Sequence, residues 1–270
     1  MKLSYQVSTP EVYRLPGVTS YQDDFEASIK ALKAAGYDGI ELMVRDPKTF
    51  DGKEIAALLE KHKYEVSMVC TGEVYGQDKL SFGDPDEARR DEAIARIKAA
   101  IDLAGILKTQ INLGRARGGY LPGIPKEQSY KRILNAIQRI TEYASKQEVI
   151  VALEPVNSLA LNYINSTAEG LEYVKKINSP YFKLMLDTGH MHIEDKDIEA
   201  TVEQSINYVT FVHLADSNRR YPGEGVFDFI SFIDYLKKAS YSGYVSVEVF
   251  PLPDQDTALS KSSEFIRPLL

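Results

Sequence analysis

The 270-residue chain is 44% hydrophobic and 26% charged, the proportions of a soluble globular protein with enough length to bury a large core. Its 32 Lys and Arg against 39 Asp and Glu leave a net charge of −7, which argues against a nucleic-acid surface. No apolar run approaches the roughly 20 residues that span a bilayer, no signal-peptide core opens the chain and the single cysteine excludes an internal disulfide, so a cytoplasmic location without a membrane partner is expected.

The first strand is predicted over about Lys2 to Val7. A Pro- and Gly-containing loop leads to a helix from Tyr21 to Ala35, where Phe25, Ile29, Leu32 and Ala35 recur at helical spacing before Gly36 ends it. Asp38 to Met43 reads as a second strand, Lys53 to Lys61 as the next helix, and Tyr64 to Cys70 as a third strand closing on a buried thiol. Pro85 to Leu103 is predicted helical, Thr109 to Leu113 a fourth strand, and Lys126 to Lys146 a long amphipathic helix. Four more strand-like runs follow, Val149 to Glu154, Phe182 to Asp187, Tyr208 to His213 and Tyr244 to Glu248. Helical stretches at Thr167 to Ile177, Ile198 to Ser205, Phe229 to Ala239 and Thr257 to Ile266 fill the gaps and close the chain.

Strand and helix thus alternate eight times, at intervals that suit parallel crossovers rather than hairpins. The expectation is an α/β fold, a single (β/α)8 TIM barrel over residues 1–270, with no linker to divide it. A doubly wound open sheet is the alternative, but Ser8-Thr9-Pro10-Glu11 is not the Gly-rich first turn that such a sheet would carry. A weak internal echo, Gly36-Tyr37-Asp38-Gly39-Ile40-Glu41 against Gly243-Tyr244-Val245-Ser246-Val247-Glu248, sets a Gly-Tyr helix exit before a strand with Glu near its end.

The last four strand-like runs end on Glu154, Asp187, His213 and Glu248. One acidic residue after an apolar run is ordinarily a helix cap or a solvated loop residue. Four in succession, on strands whose C-terminal ends converge at one mouth, would gather three carboxylates and an imidazole about a common point. Without a cation that gathering of like charges is costly, so a single divalent metal ion is expected. Mostly hard oxygen with one nitrogen favours manganese, with magnesium, cobalt or zinc as alternatives. Glu154 and Glu248, on the fifth and eighth strands at opposite sides of the ring, could each bind metal through one oxygen and move a proton with the other.

The stretches Leu153-Glu154-Pro155-Val156-Asn157, Leu186-Asp187-Thr188-Gly189-His190, His213-Leu214-Ala215-Asp216-Ser217-Asn218-Arg219 and Ser246-Val247-Glu248 resemble the xylose-isomerase-like sugar isomerase/epimerase superfamily, in spacing as well as in residues. The ketose 3-epimerases are similar. Val44-Arg45-Asp46-Pro47, Gly114-Arg115-Ala116-Arg117-Gly118 and Asp216-Ser217-Asn218-Arg219 with Pro222-Gly223 resemble the 5-keto-L-gluconate epimerase branch more closely. The resemblance implies that Glu154 and Glu248 are both metal ligands and the catalytic acid/base pair, that Asp187 and His213 complete the metal site, and that His190 and Arg219 contact substrate oxygens. It implies epimerisation beside a ketone through an enediolate, on a small-molecule sugar or sugar acid, in a homodimer or homotetramer.

One position departs from the pattern. Where ketose 3-epimerases carry a second substrate-binding glutamate shortly after the first ligand, this chain has Ala160, which suggests different recognition at one end of the sugar. Arg115 and Arg117 could bind a carboxylate or phosphate there, and Glu73 is a further candidate substrate contact. His62 and His192 read as surface or packing residues. Aldose–ketose isomerisation and an inosose dehydratase-like lyase are alternatives on the same ligands, and a non-catalytic sugar-binding barrel is a third. A nuclease on this scaffold would want more than four histidines and a basic surface.

Overall fold

The computed structural model describes residues 1–270. Its strands are β1 (Lys2–Ser8), β2 (Gly39–Met43), β3 (Glu65–Cys70), β4 (Ile111–Leu113), β5 (Val151–Leu153), β6 (Phe182–Asp187), β7 (Val209–Leu214) and β8 (Tyr244–Val247). They close in sequence order into a parallel barrel, with β8 pairing back onto β1. Around it run α1 (Phe25–Ala34), α2 (Gly52–His62), α3 (Gly72–Gly76), α4 (Glu87–Leu107), α5 (Lys126–Lys146), α6 (Thr167–Ile177), α7 (Thr188–Glu194), α8 (Ile198–Ser205), α9 (Phe229–Lys238) and α10 (Gln255–Ile266). This is the (β/α)8 barrel that the alternation predicts. None of the helices is long and apolar enough to cross a membrane.

Most of the outer helices join a side-chain cap to an apolar stripe, whereas α5 follows Pro125 and rests on its stripe alone. In α5, Ile133, Ala136, Ile137, Ile140, Thr141 and Ala144 are buried, a helical stripe laid on the barrel. The first helix starts later than its periodicity suggests. Tyr21 is tied to β1 instead, its N–H donating to Gln6 O at 2.8 Å and its carbonyl accepting from Ser8 N at 3.1 Å. Asp24 then caps α1 by accepting from the N–H groups of Glu26 and Ala27. α4 runs past Leu103 to Leu107 because its buried stripe continues through Ala104, and Lys108 closes it in the left-handed conformation. The short helices α3 and α7 are additions to the predicted set, and each sits at the mouth of the barrel.

Inside the barrel the strand period of two decides what faces the axis. Met68, Ala152, Met185 and Phe211 form one buried apolar cluster. Two residues further along three of those strands stand Glu154, Asp187 and His213, so the same inward parity that plugs the barrel delivers the polar residues above the plug. The C-terminal mouth is therefore polar and the layer beneath it is lined by that apolar cluster.

Candidate metal centre

Glu154 and Glu248 each lie one residue beyond their strands, yet their N–H groups still belong to the ladder, donating to Leu113 O at 3.1 Å and to Leu214 O at 3.2 Å. Asp187 is the last residue of β6 and His213 lies within β7. One potential ligand atom from each of these four buried residues lies within 4.8 Å of the others. All four ligands expected from the strand ends are thereby brought together. One detail differs: β5 and β8 are not diametrically opposed in the eight-membered ring, so the two glutamates face one another obliquely.

His213 Nδ1 sits 3.4 Å from Glu154 Oε1, 3.5 Å from Asp187 Oδ2 and 3.2 Å from Glu248 Oε2. It is fully buried and has no hydrogen-bond partner. An orphaned imidazole nitrogen ringed by three carboxylate oxygens fits a divalent cation, and the donor chemistry is that of a hard ion. Burial favours the neutral imidazole, but Glu41, Glu248 and the other carboxylates outweigh it and raise the pKa of His213 well above the usual histidine range. A dication among the same oxygens would take the place of that extra proton.

Glu41, which the sequence reading does not assign to the site, fixes the imidazole. It is fully buried, and its Oε1 lies 2.8 Å from His213 Nε2 and accepts from Gln6 Nε2 at 3.0 Å. With Nε2–H directed at Glu41, Nδ1 presents its lone pair to the centre. Phe211 packs edge-on beneath the ring, with centroids 5.6 Å apart. The echo between the Glu41 and Glu248 segments is the one sign in the sequence that this carboxylate enters the same layer.

Asp187 serves two purposes. Its Oδ1 caps α7, accepting from Gly189 N at 2.8 Å and His190 N at 3.1 Å, while Oδ2 turns to His213. Burial alone would push Asp187 up, but Arg219, His190 and His213 hold it well below the ordinary carboxylate range. Glu248 behaves alike, with burial opposed by Arg219 and His213 and the pKa brought down to about 2. The Arg219 Nη1 donates to Asp187 at 2.7 Å and its Nη2 pairs with Glu248. The loop that delivers it is tied by Asp216, a buried carboxylate accepting from the N–H groups of Ser217, Gly223 and Phe227. Arg219 itself takes the left-handed φ of 60°, rare for a residue with a long side chain, and Phe250 N–H holds its carbonyl at 2.9 Å.

A cavity of about 310 Å³ opens over the centre, its wall including Thr19, Asn112, Arg115, His190, Arg219 and both glutamates. His190 is oriented by Asn157, whose Nδ2 lies 2.8 Å from Nδ1 while its Oδ1 accepts from Leu159 N. The imidazole therefore carries its proton on Nε2, 3.8 Å from Glu154 Oε1, and burial lowers its pKa. Asn112 donates to Glu154 Oε2 at 3.1 Å. Gly114 makes room for that oxygen: a Cβ there would lie 2.3 Å from it. Ala160 also lines the cavity, so the position of the departure does face the site.

The arginine pair divides. A 3-10 turn spans Arg115–Arg117 and sends the two side chains different ways. Arg115 reaches the cavity wall, with Nη2 at 3.3 Å from Gly72 O and 3.4 Å from Glu73 Oε1. Glu73 is buried behind it, and burial raises its pKa. Arg117, expected as a substrate contact, is fully buried and absent from the cavity wall. Its two terminal nitrogens donate to the carbonyls of Gly114, Glu154, Tyr163 and Ile164 at 2.7–3.0 Å, stapling the loop after β4 to the loop after β5. Burial pulls its pKa down to about 10, which leaves it charged at neutral pH. Arg117→Met should therefore cost stability, on the order of 3–5 kcal/mol as the carbonyls lose their donor, with the KM of the folded protein little changed. Urea unfolding and steady-state kinetics on the same preparation check both halves.

Comparison with known proteins agrees with this architecture. The family described as Xylose isomerase-like TIM barrel matches residues 29–269. An L-ribulose 3-epimerase from Methylomonas sp. (strain DH-1) is 28% identical over 240 residues, covering 87% of this chain and 82% of the relative. A 3-dehydro-D-guloside 4-epimerase from Escherichia coli (strain K12) is 25% identical over 239 residues, covering 84% and 88% respectively. The solved structure of D-allulose 3-epimerase from Methylomonas sp. in complex with D-allulose superposes with a TM-score of 0.81 at 24% identity, covering 100% of this chain and 97% of that one. With the family match running over nearly the whole barrel, and the four candidate ligands gathered at its mouth, the chain belongs to the xylose isomerase-like TIM barrel family.

Proposed function

We propose that this chain is a divalent-metal-dependent epimerase that inverts the carbon next to the ketone of a keto sugar or keto sugar acid. The observation that carries the reading is the disposition of the two glutamates. Each turns one oxygen toward the shared centre and keeps the other off it: Glu248 Oε1 lies 3.3 Å from Thr19 Oγ1, and Glu154 Oε2 accepts from Asn112. Two such oxygens on separate strands address the two faces of a carbon that becomes planar when its proton leaves.

A divalent ion held by Glu154, Asp187, His213 and Glu248 would polarise the ketone and offset the negative charge that develops beside it. One glutamate removes the proton, giving the enediolate, and the other returns a proton to the opposite face. Arg219, anchored on Asp187 and Glu248, and the Nε2–H of His190 present donors to substrate oxygens. Arg115, only loosely engaged by Gly72 and Glu73, takes a substrate carboxylate or phosphate. With Ala160 in place of an acidic side chain, that end of the cavity suits a sugar acid better than a free hexulose. Manganese is the ion proposed from the ligand set, and a homodimer or homotetramer is the assembly proposed from the family likeness. The named relatives support the reaction class, since both the 3-epimerases and the 4-epimerase are named for keto or ketose substrates.

The test is incubation of the manganese-loaded protein in D2O with a panel of keto sugars and keto sugar acids, followed by NMR. The expected result is deuterium at the carbon beside the ketone, appearing together with the epimer. Exchange at C1 with formation of an aldose, or loss of water from an inosose, would replace this reading with an isomerase or a lyase.

A further inference from the structure

We propose that Thr19 is a positioning residue for Glu248, and that Gln6 behind it lets the same hydroxyl serve Glu248 both before and after that carboxylate takes a proton. The proposal rests on the epimerase reading above. It is carried by a chain of hydrogen bonds that runs from the imidazole ligand to the second glutamate.

The chain starts at His213 Nε2, 2.8 Å from Glu41 Oε1, which also accepts from the side-chain amide of Gln6 at 3.0 Å. The amide of Gln6 is oriented by its two neighbours: Nε2 donates to Glu41 Oε1, and Oε1 faces the opposite way as an acceptor. There Oε1 meets Thr19 Oγ1 at 3.2 Å, and the same hydroxyl lies 3.3 Å from Glu248 Oε1. Gln6 is fully buried, while Thr19 stands on the cavity wall.

A hydroxyl has one hydrogen and two lone pairs. When Glu248 is ionised, Thr19 donates to Glu248 Oε1. In proton transfer the C–H bond of the substrate breaks, its electron pair stays with the substrate as the enediolate, and an O–H bond forms at Glu248 Oε1. That O–H then donates to Thr19 Oγ1, whose hydrogen rotates to Gln6 Oε1, an acceptor only. Glu248 Oε1 thus keeps a partner in both states by rotation of one hydrogen, with no heavy atom moved, and Gln6 Oε1 gains its donor in the protonated one. The proton leaves by the same oxygen when it is returned to carbon.

The other glutamate is built differently. Asn112 gives its Nδ2 to Glu154 Oε2, and its Oδ1 is taken by Thr71 N–H at 2.6 Å. Asn112 can donate to Glu154 but cannot accept from it. The switchable partner belongs to Glu248 alone.

The test compares Thr19→Val, which keeps shape and loses the hydroxyl, with Thr19→Ser, which restores it. In the manganese-loaded enzyme Thr19→Val should lower kcat by roughly 10- to 100-fold, with KM little changed and the manganese affinity, read by EPR titration, retained. Because the equilibrium constant is fixed, kcat/KM must fall by one factor in both directions. Thr19→Ser should recover to within a few-fold. A readout independent of turnover is the infrared carboxylate band of Glu248 in protein labelled with [13C]glutamate, identified by its loss in Glu248→Gln. It should shift in Thr19→Val and return in Thr19→Ser. Native kcat in Thr19→Val, loss of manganese, failure of serine to restore, or an unmoved band would each overturn the proposal. A shifted band in an enzyme that inverts no keto sugar supports the Thr19–Glu248 bond and removes the epimerase reading instead.

Discussion

Glu248→Gln and Glu154→Gln are each expected to lower kcat for epimerisation by roughly 10²- to 10⁴-fold in protein that folds normally. Glutamine keeps the shape of the side chain and an oxygen that can face a cation, but its amide cannot take a proton from carbon. The two variants should not be equivalent toward metal. In Glu154→Gln, turning the new amide oxygen to the centre would set its NH2 against the Nδ2 of Asn112, donor against donor, since the Oδ1 of Asn112 is already committed to Thr71. In Glu248→Gln the NH2 would meet the hydroxyl of Thr19, which can accept. Glu154→Gln should therefore lose more affinity for manganese than Glu248→Gln. Each variant retains one proton carrier, so each should still exchange the proton of one epimer with D2O without inverting it, and opposite epimers should respond to opposite variants. NMR of the separated epimers measures this. Full inversion in either variant at the native rate would remove the proton-carrying role from that glutamate.

Stripping the divalent ion with a chelator is expected to abolish turnover and to lower the melting temperature by roughly 5–10 °C, both reversed by manganese. An ion present at about 100 times its Kd adds about 2.7 kcal/mol to the folded state, and a chain of this size shifts by a few degrees per kcal/mol. The physical origin is the crowding at the centre, where three carboxylate oxygens lie within 3.5 Å of a single imidazole nitrogen. Arg219 and a protonated His213 relieve that crowding only in part. Glu41→Gln should weaken the affinity by about 10- to 100-fold, because the imidazole loses the carboxylate that fixes its lone pair. Calorimetric titration of wild type and variant with manganese checks the ratio. An unchanged affinity would mean that packing on Phe211 suffices to orient the ring.

The barrel and the convergence of its four candidate ligands are legible because both are written in short-range patterns. An apolar strand-like run that stops on Glu, Asp or His needs no knowledge of its neighbours, and the order of alternating elements dictates the closure. The supporting residues are written in a register between strands, which one strand does not reveal. Gln6 and Glu41 are adjacent only because β1 and β2 pair residue against residue at that level. Asn112 and Thr19 look like ordinary loop or strand polar residues until Glu154 and Glu248 are placed beside them. Arg117 misleads for the same reason, since its neighbour Arg115 does face the cavity and only the turn between them separates their fates. Asp187 shows the opposite situation: the commonplace reading of such a residue as a helix cap holds through one oxygen, while the other oxygen faces His213 in the candidate metal centre.

The two-residue step between the apolar floor and the ligands limits how this chain can change. Inserting or deleting a single residue between Met185 and Asp187, or between Phe211 and His213, would rotate the ligand out among the surrounding helices and leave an aliphatic group in its place. Descendants of this sequence can lengthen or trim the segments that follow each strand and so alter which molecules they accept. The spacing inside the strands has no such freedom, so new substrates should arise by remodelled rims around an unaltered centre.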